Sequence, residues 1–170
     1  LVEGDDVLDV TDALDAIPQA RWPLPQGDPL IANLDAVRAR VDAVKGGAAR
    51  KPLSSVHLKS PVANPNKVIG APVNYQKHID EANAHLSDFG QTQEIKGIDH
   101  YGPFLKANSS LVGQDDGVAL RFTDRRNDHE GELAVIIGKT ADRISIDDAQ
   151  DHIAGYSVGL DMTVRGPEDR

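Results

Sequence analysis

Two stretches constrain this chain more than any others, DHEGELAVIIGK at 128–139 and GYSVGLDMTVRG at 155–166. Successive strand residues point to opposite faces, so Glu130 and Glu132 project side by side at the mouth of an apolar run. In the second stretch Tyr156, Val158, Leu160 and Met162 take one face, and Ser157, Gly159, Asp161 and Thr163 take the other. The periodicity predicts strands over 130–138 and 155–161. Two neighbouring carboxylates repel. Unless a cation lies between them, whether Arg, Lys or a metal ion, one tends to keep its proton. Solvated acids at an exposed strand end are the alternative, since acids are mostly exposed.

The chain has no cysteine, so neither disulfides nor thiolate ligands are available, and any metal must be held by oxygen or imidazole. Three carboxylates from two neighbouring strands can form an oxygen cage for Mg²⁺, Mn²⁺ or Ca²⁺. The net charge is −9 and the 18 Lys and Arg are scattered, which argues against a nucleic-acid footprint or an anionic membrane surface as partner. No apolar run approaches the roughly 18 residues of a membrane span, and the N-terminus lacks a basic-then-apolar signal pattern, so a cytoplasmic home is expected. The chain begins at Leu1 rather than Met and stops at RGPEDR without a closing element, which reads as a portion of a longer protein. IGKT at 137–140 lacks the upstream glycine of a phosphate loop, that place being Leu133, and neither a nucleophile elbow nor a calcium-loop pattern occurs.

Residues 1–66 read as a small N-terminal subdomain punctuated by prolines. It contains one clear helix, capped by Asp28 with Pro29 at its first position, a stripe of Leu30, Leu34, Val37, Val41 and Val44, and a stop at Gly46-Gly47. A short strand is expected from Lys67, ended by Pro72, and then a helix over 75–86 that puts His78 and Glu81 on one face. Residues 87–103 read as a long loop of the lid type. Further strands are expected at 104–106 and 118–122, and a small helix at 146–153 capped by Ser145. Lys106, in PFLKANSSLVG, is a further candidate, with a plain solvated lysine as the alternative. His85, His100, His129 and His152 read as surface residues or as residues supporting the site from behind its ligands, His129 facing away from Glu130 and Glu132.

Four motifs, NYQKHIDE, PFLKANSSLVG, HEGELAVIIGK and AGYSVGLDMTVRG, in this order from about residue 67 to 170, resemble the fumarylacetoacetate hydrolase family. Within it the resemblance is to the smaller acylpyruvase, oxaloacetate decarboxylase-like and hydroxymuconate isomerase-like branch. The resemblance implies that Glu130, Glu132 and Asp161 bind a catalytic divalent ion, Mg²⁺ with Mn²⁺ or Ca²⁺ as alternatives. It also implies that His78 and Glu81 form an acid/base dyad and that Lys106 contacts substrate. The implied fold is α+β and strand-rich, a mixed β-roll or sandwich with peripheral helices. Residues 67–170 would form the first part of the catalytic domain, its C-terminal remainder absent, and the assembly would be a homodimer. The implied activity is C–C bond hydrolysis of an acylpyruvate-like or fumarylacetoacetate-like keto acid. Isomerisation or decarboxylation of hydroxymuconate-like or oxaloacetate-like substrates is an alternative, as is a non-catalytic metal-binding member. Two departures stand out. An aspartate that the namesake enzyme places before its histidine is here Ala71, and the usual glycine ahead of Asn74-Tyr75 is replaced by APV.

Overall fold

The computed structural model describes residues 1–85 and 93–166, and within them the chain is α+β. Strands β1 (Val2–Glu3), β2 (Asp6–Leu8) and β3 (Arg50–Pro52) make one small antiparallel sheet. Helices α1 (Pro29–Ala32) and α2 (Leu34–Val44) follow in sequence between β2 and β3. Strands β4 (Val68–Gly70) and β5 (Phe104–Lys106) pair with each other, with α3 (Gln76–Ala84) and α4 (Ile98–Tyr101) between them in the chain. Strands β6 (Asn127–Ile137) and β7 (Ile153–Val164) form a long antiparallel pair. All three sheets are open.

Two compact units divide the chain. One joins Leu1–Ala63 to Val112–Arg170, of which residues up to 166 are described, and the other is Asn64–Leu111. Residues 1–63 thus fall in the same unit as the β6–β7 pair.

In the first unit the chain reverses between β1 and β2 through Gly4-Asp5, with Gly4 at φ 60°, a conformation that costs glycine nothing. Leu8, Ala13 and Val37 are its buried apolar residues, where α2 packs on the short 3₁₀ segment Thr11–Ala16. The stripe expected on the helix faces inward, Val37 buried and Leu30, Leu34, Val41 and Val44 half-buried. The helix is nevertheless two pieces, broken at Asn33, whose amide donates to the Pro29 carbonyl at 2.8 Å. Asp28 caps the first piece as its position predicts, accepting from the amides of Leu30 (2.9 Å) and Ile31 (3.2 Å). Its other oxygen accepts from the amide of Ala63 (2.7 Å), so the cap also anchors the end of the N-terminal segment.

Residues 57–59 are stitched to 113–116. Asp115 accepts from the Leu58 amide at 2.6 Å, and Asp116 meets His57, Lys59 and the amide of Gly113. Lys59, then His57 and the Gly113 amide, hold the Asp116 carboxyl well below the usual carboxylate range. Gly113 has no room for a side chain. A Cβ there would lie 2.5 Å from the Lys59 Cα and 2.6 Å from the Leu58 carbonyl oxygen, both backbone atoms. Gly113→Ala is therefore expected to cost about 2 kcal/mol of stability through overpacking. A urea melt of the full-length protein with an unshifted midpoint would contradict this.

Several sequence expectations need correction. No strand forms at 118–122: its apolar residues find no pairing partner, and Phe122 instead lies under the guanidinium groups of Arg125 (4.6 Å) and Arg121 (5.6 Å). The helix expected at 146–153 is a turn followed by the 3₁₀ segment Ala149–His152. Its cap is real, since Ser145 Oγ donates to Asp148 Oδ2 at 2.7 Å and accepts from the Asp148 amide at 3.2 Å. Of the loop expected over 87–103, residues 87–92 lie outside the described residues, and the rest contains the short helix α4. Among the described residues no helix is long and apolar enough to cross a membrane.

Candidate metal centre

Pairing of β6 with β7 sets Asp128 opposite Thr163, Glu130 opposite Asp161, and Glu132 opposite Gly159. Directly opposite residues of an antiparallel pair share a face with their Cβ atoms about 5 Å apart. Period two then adds Glu132 to the same face as Glu130, so the three predicted ligands Glu130, Glu132 and Asp161 leave one side of one hairpin. Gly159 opposite Glu132 leaves that place without a competing side chain. The acid face is half-buried, whereas the other face is apolar and exposed: Leu133 is 60% exposed, Val158 83% and Leu160 63%.

Two arginines belong to the acid face by the same periodicity. The Arg165 backbone amide donates to the Arg126 carbonyl (2.9 Å), extending the ladder past β7 and setting the two residues opposite each other. Arg126 Nε donates to Asp128 Oδ1 at 2.7 Å, and Arg165 Nε to Asp128 Oδ2 at 2.8 Å. A second nitrogen of Arg165 reaches Glu130 Oε1. Arg126 and then Arg165 hold the Asp128 carboxyl below its ordinary range. The Asp128 partnership in turn raises the Arg165 guanidinium. Neither Asp128 nor Arg165 was a candidate on sequence grounds. The signal was present, because 126, 128 and 165 share parity with the acids.

The face suits a hard divalent cation by its chemistry: its donors are all oxygen and carboxylates outnumber guanidiniums. Arg165, a cation already drawn to Glu130, shows that this carboxylate takes a positive partner. As placed, no three His, Asp or Glu side chains among the described residues close around a common point. Glu130 is turned toward Arg165, and Glu132 makes no hydrogen bond or ion pair among the described residues.

The remaining candidates lie in the second unit. His78 and Glu81 are both exposed on α3, one turn apart, and no hydrogen bond or ion pair joins them. Gln76, bonded to Asp80 at 2.8 Å, braces the start of the helix. The approach to α3 passes through Val73, the last residue of the APV stretch, at φ 47°, a left-handed conformation costly for a β-branched residue. Lys106 ends β5 opposite Val68, with Nζ 5.7 Å from the centre of the Phe104 ring. That ring lies across Gly70, where a Cβ would meet it at 2.3 Å.

Residues 67–170 match the sequence model of the fumarylacetoacetate (FAA) hydrolase C-terminal domain. A maleylpyruvate hydrolase from Aquipseudomonas alcaligenes is 51% identical over 171 residues, covering 100% of this chain and 60% of that protein. Oxaloacetate tautomerase YisK from Bacillus subtilis is 36% identical over 120 residues, 69% of this chain and 37% of the relative. Among solved structures, a maleylpyruvate hydrolase from Sphingobium sp. SYK-6, in complex with manganese(II) ion and pyruvate, superposes with a TM-score of 0.71 at 38% identity. It covers 98% of this chain and 55% of the other. The chain thus spans little more than half the length of these two maleylpyruvate hydrolases.

Proposed function

The chain belongs to the fumarylacetoacetate hydrolase family, and from that premise we propose that it is part of a divalent-metal-dependent hydrolase of small keto acids, cleaving a carbon–carbon bond in an acylpyruvate such as maleylpyruvate. The observation that carries the reading is the β6–β7 register, which sets Glu130 against Asp161 with Glu132 beside them. Similarity over the whole chain to a maleylpyruvate hydrolase, and to a structure holding manganese and pyruvate, supports the choice of substrate class and ion.

In this reading Glu130, Glu132 and Asp161 hold the ion, Mg²⁺ or Mn²⁺, which when bound supplies Lewis-acid stabilisation for negative charge on the keto-acid oxygens. His78 takes the proton of the attacking water, and Glu81, on the same side of α3, orients it. Water adds to the acyl carbonyl, the bond between that carbon and the pyruvate methylene breaks, and the pyruvate enolate left behind takes up a proton. Lys106 neutralises a substrate carboxylate; the Phe104 ring beside its ammonium limits where the chain can swing. Residues 67–170 are the catalytic region in this reading and 1–66 a preceding subdomain. In this reading the protein is cytoplasmic. The exposed apolar face of β6–β7 needs a cover, which a homodimer or the further length of the relatives would give.

Similarity to an oxaloacetate tautomerase supports a second reading, in which His78 moves a proton on carbon and no bond between carbons breaks. A steady-state screen of the full-length protein against maleylpyruvate and other acylpyruvates, oxaloacetate and hydroxymuconate-type dienes, with and without Mn²⁺ or Mg²⁺, separates the two. Metal-dependent release of pyruvate from acylpyruvates is expected. Turnover of oxaloacetate or dienes alone would replace the hydrolase reading.

A further inference from the structure

The contact of Arg165 with two carboxylates at once bears on how a cation would reach this face. Its Nε donates to Asp128 Oδ2 (2.8 Å) and another guanidinium nitrogen to Glu130 Oε1, while its backbone is fixed by the bond to Arg126. Asp128 is shared with a second guanidinium, that of Arg126 (2.7 Å), whereas Glu130 has Arg165. The two partners of Arg165 are therefore unequal. Glu130 is one of the three proposed ligands on the acid face, opposite Asp161; Asp128 lies on the same face one strand repeat outward, opposite Thr163.

Resting on the metal-binding reading above, we propose that Arg165 is a displaceable counter-cation: it neutralises Glu130 in the metal-free protein, gives that carboxylate up to the incoming ion, and is retained on the hairpin by Asp128. Carboxylates at this spacing repel one another, and a guanidinium fork bridging two of them removes the conflict without metal. A divalent ion must break that bridge to gain Glu130, so its affinity is set by competition with an internal cation. Asp128 supplies the place to which Arg165 withdraws. Arg165 is in this sense a positioning residue, acting on the ion through Glu130.

Titration calorimetry with Mn²⁺ on the full-length protein tests this. Arg165→Gln removes the competitor, and the dissociation constant is expected to fall about tenfold, the equivalent of one charge-assisted hydrogen bond no longer given up. Arg126→Gln removes the same charge from the same face without freeing Glu130, and is expected to tighten binding much less. Arg165→Lys, which keeps the charge but cannot bridge two carboxylates with a planar fork, should tighten binding to a lesser degree than Arg165→Gln and covers the case in which the glutamine variant does not fold. Equal gains in the Arg165→Gln and Arg126→Gln variants would show a general field effect and overturn the proposal, as would unchanged or weaker binding in either Arg165 variant. If the wild-type protein binds Mn²⁺ and only these comparisons fail, the metal reading stands without the competition. If the wild-type protein takes no Mn²⁺, both fall together.

Discussion

Glu132→Ala in the full-length protein is expected to abolish Mn²⁺ or Mg²⁺ binding and to reduce metal-dependent turnover by at least about a hundredfold, while leaving the metal-free protein as stable as before. The separation of the two effects comes from what Glu132 touches. It makes no hydrogen bond or ion pair among the described residues and faces Gly159 across the hairpin, so its removal breaks no polar interaction there. A carboxylate held beside another without a partner of its own is an expense that an ion would relieve. Glu130→Ala is a poorer test, because it also strips Arg165 of one of its two carboxylates and so mixes ligand loss with the break-up of an ion network. Calorimetry that finds the Glu132→Ala variant binding the ion as the wild type does would remove the hairpin acids from the metal site. A large fall in the melting temperature of the metal-free variant would instead assign Glu132 a structural part.

The alternation at 130, 132 and 161 was readable because period two is a local property: which face a residue takes follows from its neighbours once the strand is granted. That Glu130 stands opposite Asp161 was not readable. Register is fixed by a pairing between residues some thirty apart in the chain, and by a bulge between Ile136 and Ile137 that no local pattern marks. The same limit explains 118–122, where VALRF has strand composition but no partner, since a strand exists only by pairing. It explains β1 to β3 as well, whose two or three residues each are too short to show any period. Helix 29–44 was readable through Asp28, Pro29 and its stripe; the break at Asn33 was not, because it rests on a side-chain bond to the Pro29 carbonyl. Asp128 and Arg165 shared the parity of the site but looked like ordinary strand-end charges, and only their contacts single them out. At Val73 the sequence did signal a departure: the APV that stands ahead of Asn74-Tyr75 ends where the backbone takes φ 47°.

His78→Ala is expected to lower kcat by about 10²–10⁴-fold, the usual worth of a positioned general acid or base, with the Mn²⁺ dissociation constant unchanged. Two features make the variant clean. His78 sits exposed in the first turn of α3, with no side-chain hydrogen bond among the described residues, and alanine is the best helix former, so α3 keeps its structure. The metal candidates belong to β6 and β7, a different element, so ion binding does not depend on the imidazole. Glu81 completes the logic. As an orienting group rather than the proton carrier it should cost less when changed to Gln than His78 does when changed to Ala, and Glu81→Gln should alter the pH profile of kcat, which a helix-surface charge would leave alone. No hydrogen bond joins the two side chains, so under the proposed mechanism the dyad forms only when substrate and ion are bound. Wild-type turnover by His78→Ala, with metal retained, would take the histidine out of the reaction and leave proton transfer to another group, whatever the hairpin acids do.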